Sequence, residues 1–235
     1  MTKTKADAVR IQTSILNALE KKVLVWLAQR QPKWMTSDIL TWIGTFGAVV
    51  IAAGYVLSGY DIRFLWLSSL GFIINWYGDS LDGTLARVRN RQRPIYGYYI
   101  DHTVDCINEF MIFLGIGLSG FMHLELALMI LAIYFMLTVN VSINAHLKKE
   151  FRLTYAGLGP TEFRILAIIA NTILVAFPSL TESVFVFFIG DVEFDFGSLD
   201  FVGVAVFVVL VAIYLYNVIR DAKGYALIDP MPEGE

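Results

Sequence analysis

Cysteine is almost missing from this chain: Cys106 stands alone among 235 residues. One thiol allows no internal disulfide and no thiolate metal site, so Cys106 reads as a small packing residue on a helix. Charge is scarce too, with Asp, Glu, Lys and Arg supplying 17% of the sequence, where a soluble domain carries about a quarter. The net charge of −3 leaves no basic footprint for a nucleic-acid partner. Residues 1–35 lack the short apolar core that follows a basic start in a signal peptide, because Asp7 and Glu20 interrupt them. No internal repeat or low-complexity segment is visible.

Apolar residues take up the room, 57% of the chain, and they come in long blocks. That pattern implies an all-α polytopic membrane protein built as one compact helical domain. In residues 1–35, Ile11, Ile15, Leu19, Val23, Trp26 and Leu27 recur at helical spacing among Arg10, Lys21, Lys22 and Arg30. This predicts a cytoplasmic amphipathic helix lying in the membrane interface. Thr36-Ser37-Asp38 supplies N-cap chemistry for the first of six expected transmembrane helices within residues 36–221. The spans run near Ile39–Leu57, Arg63–Arg87, Pro94–Ser119, His123–Leu147, Pro160 to just before Pro178, and Leu199–Ile219. Each is close to the ~20 residues that cross a ~30 Å hydrocarbon core. Residues 184–196 read as a short extracytoplasmic β-hairpin, and residues 222–235 as a cytoplasmic tail.

Positive charge is also scarce on one side of this topology, where Arg63 alone stands beside Asp61, Glu182, Asp191, Glu193 and Asp195. Arg87, Arg89, Arg91, Arg93, Lys148, Lys149, Arg152, Arg164, Arg220 and Lys223 fall with the N-terminus on the other. The positive-inside rule then puts both termini and the Asp79–Asp105 stretch in the cytoplasm, in a cell whose inner membrane holds the protein.

That stretch carries Asp79, Asp82, Asp101 and Asp105, and an ionisable residue in a membrane helix is a functional-site hypothesis by default. Helical steps of about 100° place Asp79 with Asp82 on one face and Asp101 with Asp105 on another. A short loop between antiparallel helices lets the pairs converge. Converging carboxylates repel unless a hard divalent cation with oxygen ligands relieves them, and two ions would balance the quartet. Gly83, Ala86 and Gly97 leave room beside the aspartates, and Arg87 offers a planar fork to a phosphate.

Asp79-x2-Asp82-Gly83-x2-Ala86-Arg87, then Gly97-x3-Asp101-x3-Asp105, resembles the signature of the CDP-alcohol phosphotransferases, also called CDP-alcohol phosphatidyltransferases. Nine residues separate Arg87 from Gly97 where the family pattern usually has eight, an insertion in the turn. Ser37-Asp38 stands where many members have Pro-Asn. The resemblance implies transfer of a substituted phosphoryl group from a CDP-alcohol, such as CDP-diacylglycerol, to an acceptor hydroxyl, with CMP leaving. It implies Mg²⁺ or Mn²⁺, two ions, held by Asp79, Asp82, Asp101 and Asp105, with Asp105 as general base. It assigns Asp82, Gly83, Ala86, Arg87 and Gly97 to the CDP pocket, and it implies a homodimer in membrane lipid.

For the acceptor, Arg152 and Arg164 are candidates for a phosphate-bearing alcohol, and His102 for a further contact. Asp101-His102 and Thr161-Glu162 look like choline and ethanolamine phosphotransferases instead, whose acceptor is diacylglycerol. Asn140 and Asn144 either line the cavity or bond between helices. An aromatic-acceptor prenyltransferase would need a second Asp-rich cluster that is missing here. A cation transporter would explain the carboxylates but not Gly83, Ala86, Arg87 and Gly97, and its site would lie nearer the midplane.

Overall fold

The computed structural model describes residues 9–11, 16–148, 150–152, 159–182, 184–189 and 192–231. In chain order these form β1 (Val9–Ile11), α1 (Asn17–Arg30), α2 (Ser37–Ser58), α3 (Leu65–Val88), α4 (Pro94–Leu118), α5 (Leu124–Lys148) and β2 (Glu150–Arg152). They continue with α6 (Pro160–Ala176), α7 (Ser179–Glu182), β3 (Val184–Ile189), β4 (Val192–Gly197) and α8 (Ser198–Ile228).

Local chemistry sets the ends. Thr36 Oγ1 accepts the Ile39 N–H at 3.2 Å and starts α2. Pro94 and Pro160 occupy first turns, where a missing N–H costs nothing. Asn90 closes α3 with φ +53°, and Gly120 follows α4 with φ +80°, both in the left-handed region that ends helices.

Helices in lipid gain nothing from hiding apolar surface, so small residues that let backbones approach decide which helices pair. Among the described elements α2 and α3 make the most extensive contact. A Cβ on Gly78 would lie 2.2 Å from the Gly44 nitrogen, so only glycine permits this crossing. The seam places Asn75 against α2, where its Nδ2 donates to the Gly44 carbonyl at 2.9 Å. α4 packs on α2, α5 on α4, α8 on α5, α6 on α3, and α1 on α3. One core joins Ala48, Ile51, Tyr55, Leu65, Phe72, Ile112 and Leu174 across α2, α3, α4 and α6. A second, at the motif end, joins Leu24, Ala28, Met35, Leu40, Leu81 and Leu85.

Several expectations meet a different structure. The predicted N-terminal helix begins at Asn17, while Val9–Ile11 is a strand paired in parallel with Glu150–Arg152. Ile11 therefore belongs to a strand, and Ile15 lies outside the described residues. α8 runs on to Ile228, through the stretch expected as a tail, because one glycine at Gly224 does not break an otherwise helix-forming run. Against six expected spans, α2, α5 and α8 are the three described helices long and apolar enough to cross a membrane. α3 and α4 fall short because they carry the polar residues of the motif, and α6 because it is only 17 residues long. The hairpin is present: β3 and β4 pair antiparallel from Val184↔Gly197 to Ile189↔Val192, with its tip at residues 190–191 outside the described residues.

Candidate active site

α3 descends into the turn at 89–93 and α4 climbs out of it, so the last turns of one face the first turns of the other. There Asp79, Asp101 and Asp105 each bring a carboxylate oxygen within 4.8 Å of the other two. Asp82, one turn further along α3, is turned toward α2: its Oδ2 accepts the Thr41 hydroxyl at 2.7 Å, and its Oδ1 accepts the Gly83 N–H. Ser37 Oγ donates to the Asp82 carbonyl at 2.8 Å, so the start of α2 is fastened to the same turn.

Open space adjoins the carboxylates. A Cβ on Gly97 would meet nothing within 4 Å. One on Gly83 would meet the Arg87 guanidinium first, at 3.4 Å. Arg87 Nη2 donates to Thr84 Oγ1 at 2.9 Å, which holds the guanidinium beside that space. Ala86 is half-buried on the same helix.

Of the acceptor candidates, Arg164 reaches the carboxylates. Its Nη2 pairs with Asp79 Oδ2 at 2.5 Å and its Nε donates to Asn75 Oδ1 at 3.0 Å. Its Nη1 is buried without a hydrogen-bond partner, a costly state for a charged donor away from water. His102 is held on its own helix, stacked on Tyr98 at 4.1 Å with Nδ1 3.0 Å from the Tyr98 carbonyl. The Arg152 side chain lies outside what the structure describes, as does Lys149. Asn144 bonds between helices: its Nδ2 donates to Asp221 Oδ2 of α8 at 2.9 Å, and its Oδ1 accepts the Tyr225 hydroxyl at 2.8 Å. Its Nδ2 also meets the Asn140 carbonyl at 2.9 Å.

Three polar neighbours of the site stand outside the Asp79–Asp105 motif pattern. Asn75 stands one turn before Asp79 and anchors Arg164. Glu109 stands one turn after Asp105 on the same stripe of α4 and accepts the Tyr134 hydroxyl from α5. Asn108, also on α4, is buried with no partner for its Oδ1. Intervals of four residues from Asp79 and from Asp105 were the available signal for the first two.

A helix bundle with three helices able to cross a membrane and three converging aspartates on one helix pair defines a membrane protein with a carboxylate-built site. A sequence profile of the CDP-alcohol phosphatidyltransferase family matches residues 34–213, which takes in α2 through the first half of α8. The chain belongs to this family of phosphotransferases. It is also 39% identical over 84 residues to a phosphatidylinositol phosphate synthase of Cutibacterium acnes, an alignment covering 36% of this chain. The chain spans 38% of that relative's length.

Proposed function

We propose that this protein transfers a substituted phosphoryl group from a CDP-alcohol to the hydroxyl of an acceptor alcohol, releasing CMP, in phospholipid synthesis. The observation that carries the reading is the convergence of Asp79, Asp101 and Asp105 on the helix pair that also carries Gly97, with open space at its Cα, and Gly83, with the Arg87 guanidinium beside it. Three carboxylate oxygens this close suit a hard divalent cation, so Asp79, Asp101 and Asp105, with Asp82 from the next turn, would hold Mg²⁺ or Mn²⁺, two ions in all. Bound there, the metal supplies charge stabilisation to the diphosphate. Asp82, Gly83, Ala86, Arg87 and Gly97 form the CDP pocket, with the Arg87 fork on a phosphate oxygen. Asp105 takes the proton of the attacking hydroxyl as general base. No covalent enzyme intermediate is needed.

The acceptor is a phosphorylated polyol. Arg164 stands at the carboxylates with a buried donor wanting an anion. The named product of the similar protein, phosphatidylinositol phosphate, supports the same class. Arg152 completes the basic side of the pocket in this reading, and His102 borders it. The protein crosses the membrane six times, with α3, α4 and α6 joining α2, α5 and α8, and it works as a homodimer. Its motif end and termini face the cytoplasm across the cell's inner membrane, with α1 in the interface.

CMP release by the purified protein, measured with Mg²⁺ or Mn²⁺ across CDP-alcohols and acceptors, tests this. The expected result is metal-dependent release with CDP-diacylglycerol and an inositol or glycerol phosphate. Absence of CMP release and of CDP-alcohol binding in every combination overturns the reading. Release with diacylglycerol and a CDP-amino alcohol instead overturns the choice of acceptor.

A further inference from the structure

α1 touches both the base of α6 and the outside of the molecule. On its inner side Glu20 Oε1 accepts from Trp76 Nε1 of α3 at 2.9 Å and from Thr161 Oγ1 of α6 at 2.5 Å. The Leu16 N–H, just before the helix, donates to Glu162 Oε1 at 3.0 Å. Glu162 uses its other oxygen to accept the Gly159 N–H at 3.0 Å and so starts α6. The first turn of α6 thus rests on α1 through two carboxylates. Arg164 follows within that turn, with its guanidinium on Asp79 and Asn75.

The outer side has a different character. Leu19 is 63% exposed and Trp26 52%, and with the exposed Val23 they line one apolar side of the helix. Arg30 stacks over the Trp26 ring at 4.1 Å. A shallow groove along the helix is lined by Lys21, Lys22, Val25 and Trp26. Lys33, in the linker to α2, is exposed as well, while the acid Glu20 is turned inward. Apolar and aromatic side chains beside basic ones of a single sign match the boundary of an anionic lipid leaflet. A second copy of the chain would offer the same positive face and be repelled.

Chain length fixes the place. The linker 31–36 spans at most roughly 20 Å, and α2 is one of the helices able to cross a membrane. α1 therefore stays within that reach of the surface where α2 enters.

We propose that α1 docks through Lys21, Lys22, Trp26 and Arg30 on anionic phospholipid headgroups, and that docking seats α6 and with it Arg164. The anionic content of the bilayer then sets the rate. This rests on the catalytic reading above for its rate, though not for the docking itself. Each basic side chain near an anionic surface favours the docked position by about five-fold. A shift of α1 by about an ångström takes the Thr161 and Trp76 bonds beyond hydrogen-bond distance, which is how the surface reaches the site.

The test uses the full chain in vesicles of zwitterionic phospholipid, with and without an added anionic phospholipid that is not a CDP-alcohol, at fixed donor and acceptor. An environment-sensitive fluorophore at Val23→Cys, in a Cys106→Ser background, reports docking, and CMP release reports rate. Anionic lipid is expected to move the label to an apolar environment and raise the rate roughly five-fold. The Lys21→Gln, Lys22→Gln double variant keeps the rate in zwitterionic vesicles and loses most of both responses. Glu20→Ala keeps the label response and loses the rate response.

Indifference of the wild-type label to anionic lipid overturns the docking. So does a full response in the lysine variant, or the same response to inorganic phosphate with zwitterionic vesicles. A full rate response in Glu20→Ala overturns the transmission to α6. A normal label response with no CMP release in any lipid mixture strikes the catalytic reading and leaves the docking standing.

Discussion

Carboxylates meet at both ends of the helix bundle, and the two ends treat them in opposite ways. Opposite the motif, Asp200 is 2% exposed and is enclosed by donors: the His123 N–H at 2.8 Å, the His123 ring Nδ1 at 2.9 Å and the Gly197 N–H at 2.8 Å. Asp195 of β4 lies 3.5 Å from the other ring nitrogen. These bonds tie the α4–α5 turn, the hairpin and the start of α8 into one joint. At the motif end, Asp79, Asp101 and Asp105 are instead aimed at one another across 4.8 Å or less. A buried carboxylate enclosed by protein N–H groups is architecture, and its charge is already satisfied. Arg164 meets Asp79, yet three carboxylates crowded around one point still offer a hard cation its oxygen ligands, and that offer is what makes a candidate site.

The contrast breaks most sharply on activity. Asp105→Asn removes one of the converging carboxylates and the proposed general base, so CMP release should fall at least about 100-fold. The melting temperature should stay level or rise, because like-charge repulsion is relieved. A melting temperature that drops with the rate would make Asp105 architectural and dissolve the comparison. Asp200→Asn should do the reverse. It replaces a charged acceptor of three hydrogen bonds with a neutral amide, at a cost of about 2–4 kcal/mol in stability. Turnover per folded molecule should be unchanged, as read by activity against thermal unfolding of the same preparation. Arg164→Gln should separate the two kinds of role within the motif end. The acceptor KM is expected to rise about ten-fold with a smaller change in kcat, since the proposed charge-assisted contact to an acceptor phosphate would be lost.

How much of this was legible from the residues differs between the two ends for a physical reason. Asp79, Asp101 and Asp105 sit on consecutive helices that a turn forces side by side, so periodicity brings these three together, whereas Asp82 from the same pattern turns to Thr41 instead. Thr41 and Arg164 come from α2 and α6, far off in sequence, and only the seam set by Gly44 and Gly78 decides that Thr41 meets Asp82. The hairpin was readable from the alternation of Glu193 and Asp195 with apolar residues. The pairing of β1 with β2 joins segments about 140 residues apart, which no local pattern announces. His123 with Asp200 is the same case, joined across 77 positions. Helix α8 outran its expected end because hydropathy stops at the bilayer, whereas helix propensity and the Tyr225–Asn144 bond do not.

The smallest effect should come from the ring that completes the joint. Asp200, through its hydrogen bond, holds the His123 imidazolium above the ordinary histidine value of 6.5, with Asp195 adding to it and burial opposing. A raised native pKa means that the folded state binds the proton more tightly than the unfolded chain does. The stabilisation is therefore complete below about pH 6.5 and drains away as pH rises through the native value. The ring is 43% exposed, so solvent screening keeps the effect below about 1 kcal/mol. His123→Gln should consequently lower the melting temperature slightly at pH 6, with the gap to wild type narrowing toward pH 9, while CMP release follows the same pH profile in both. A gap that widens with rising pH would mean that the neutral ring carries the joint. Asp200 would then be a carboxylate held by backbone N–H groups alone, and the two ends of the bundle would differ less than their geometry implies.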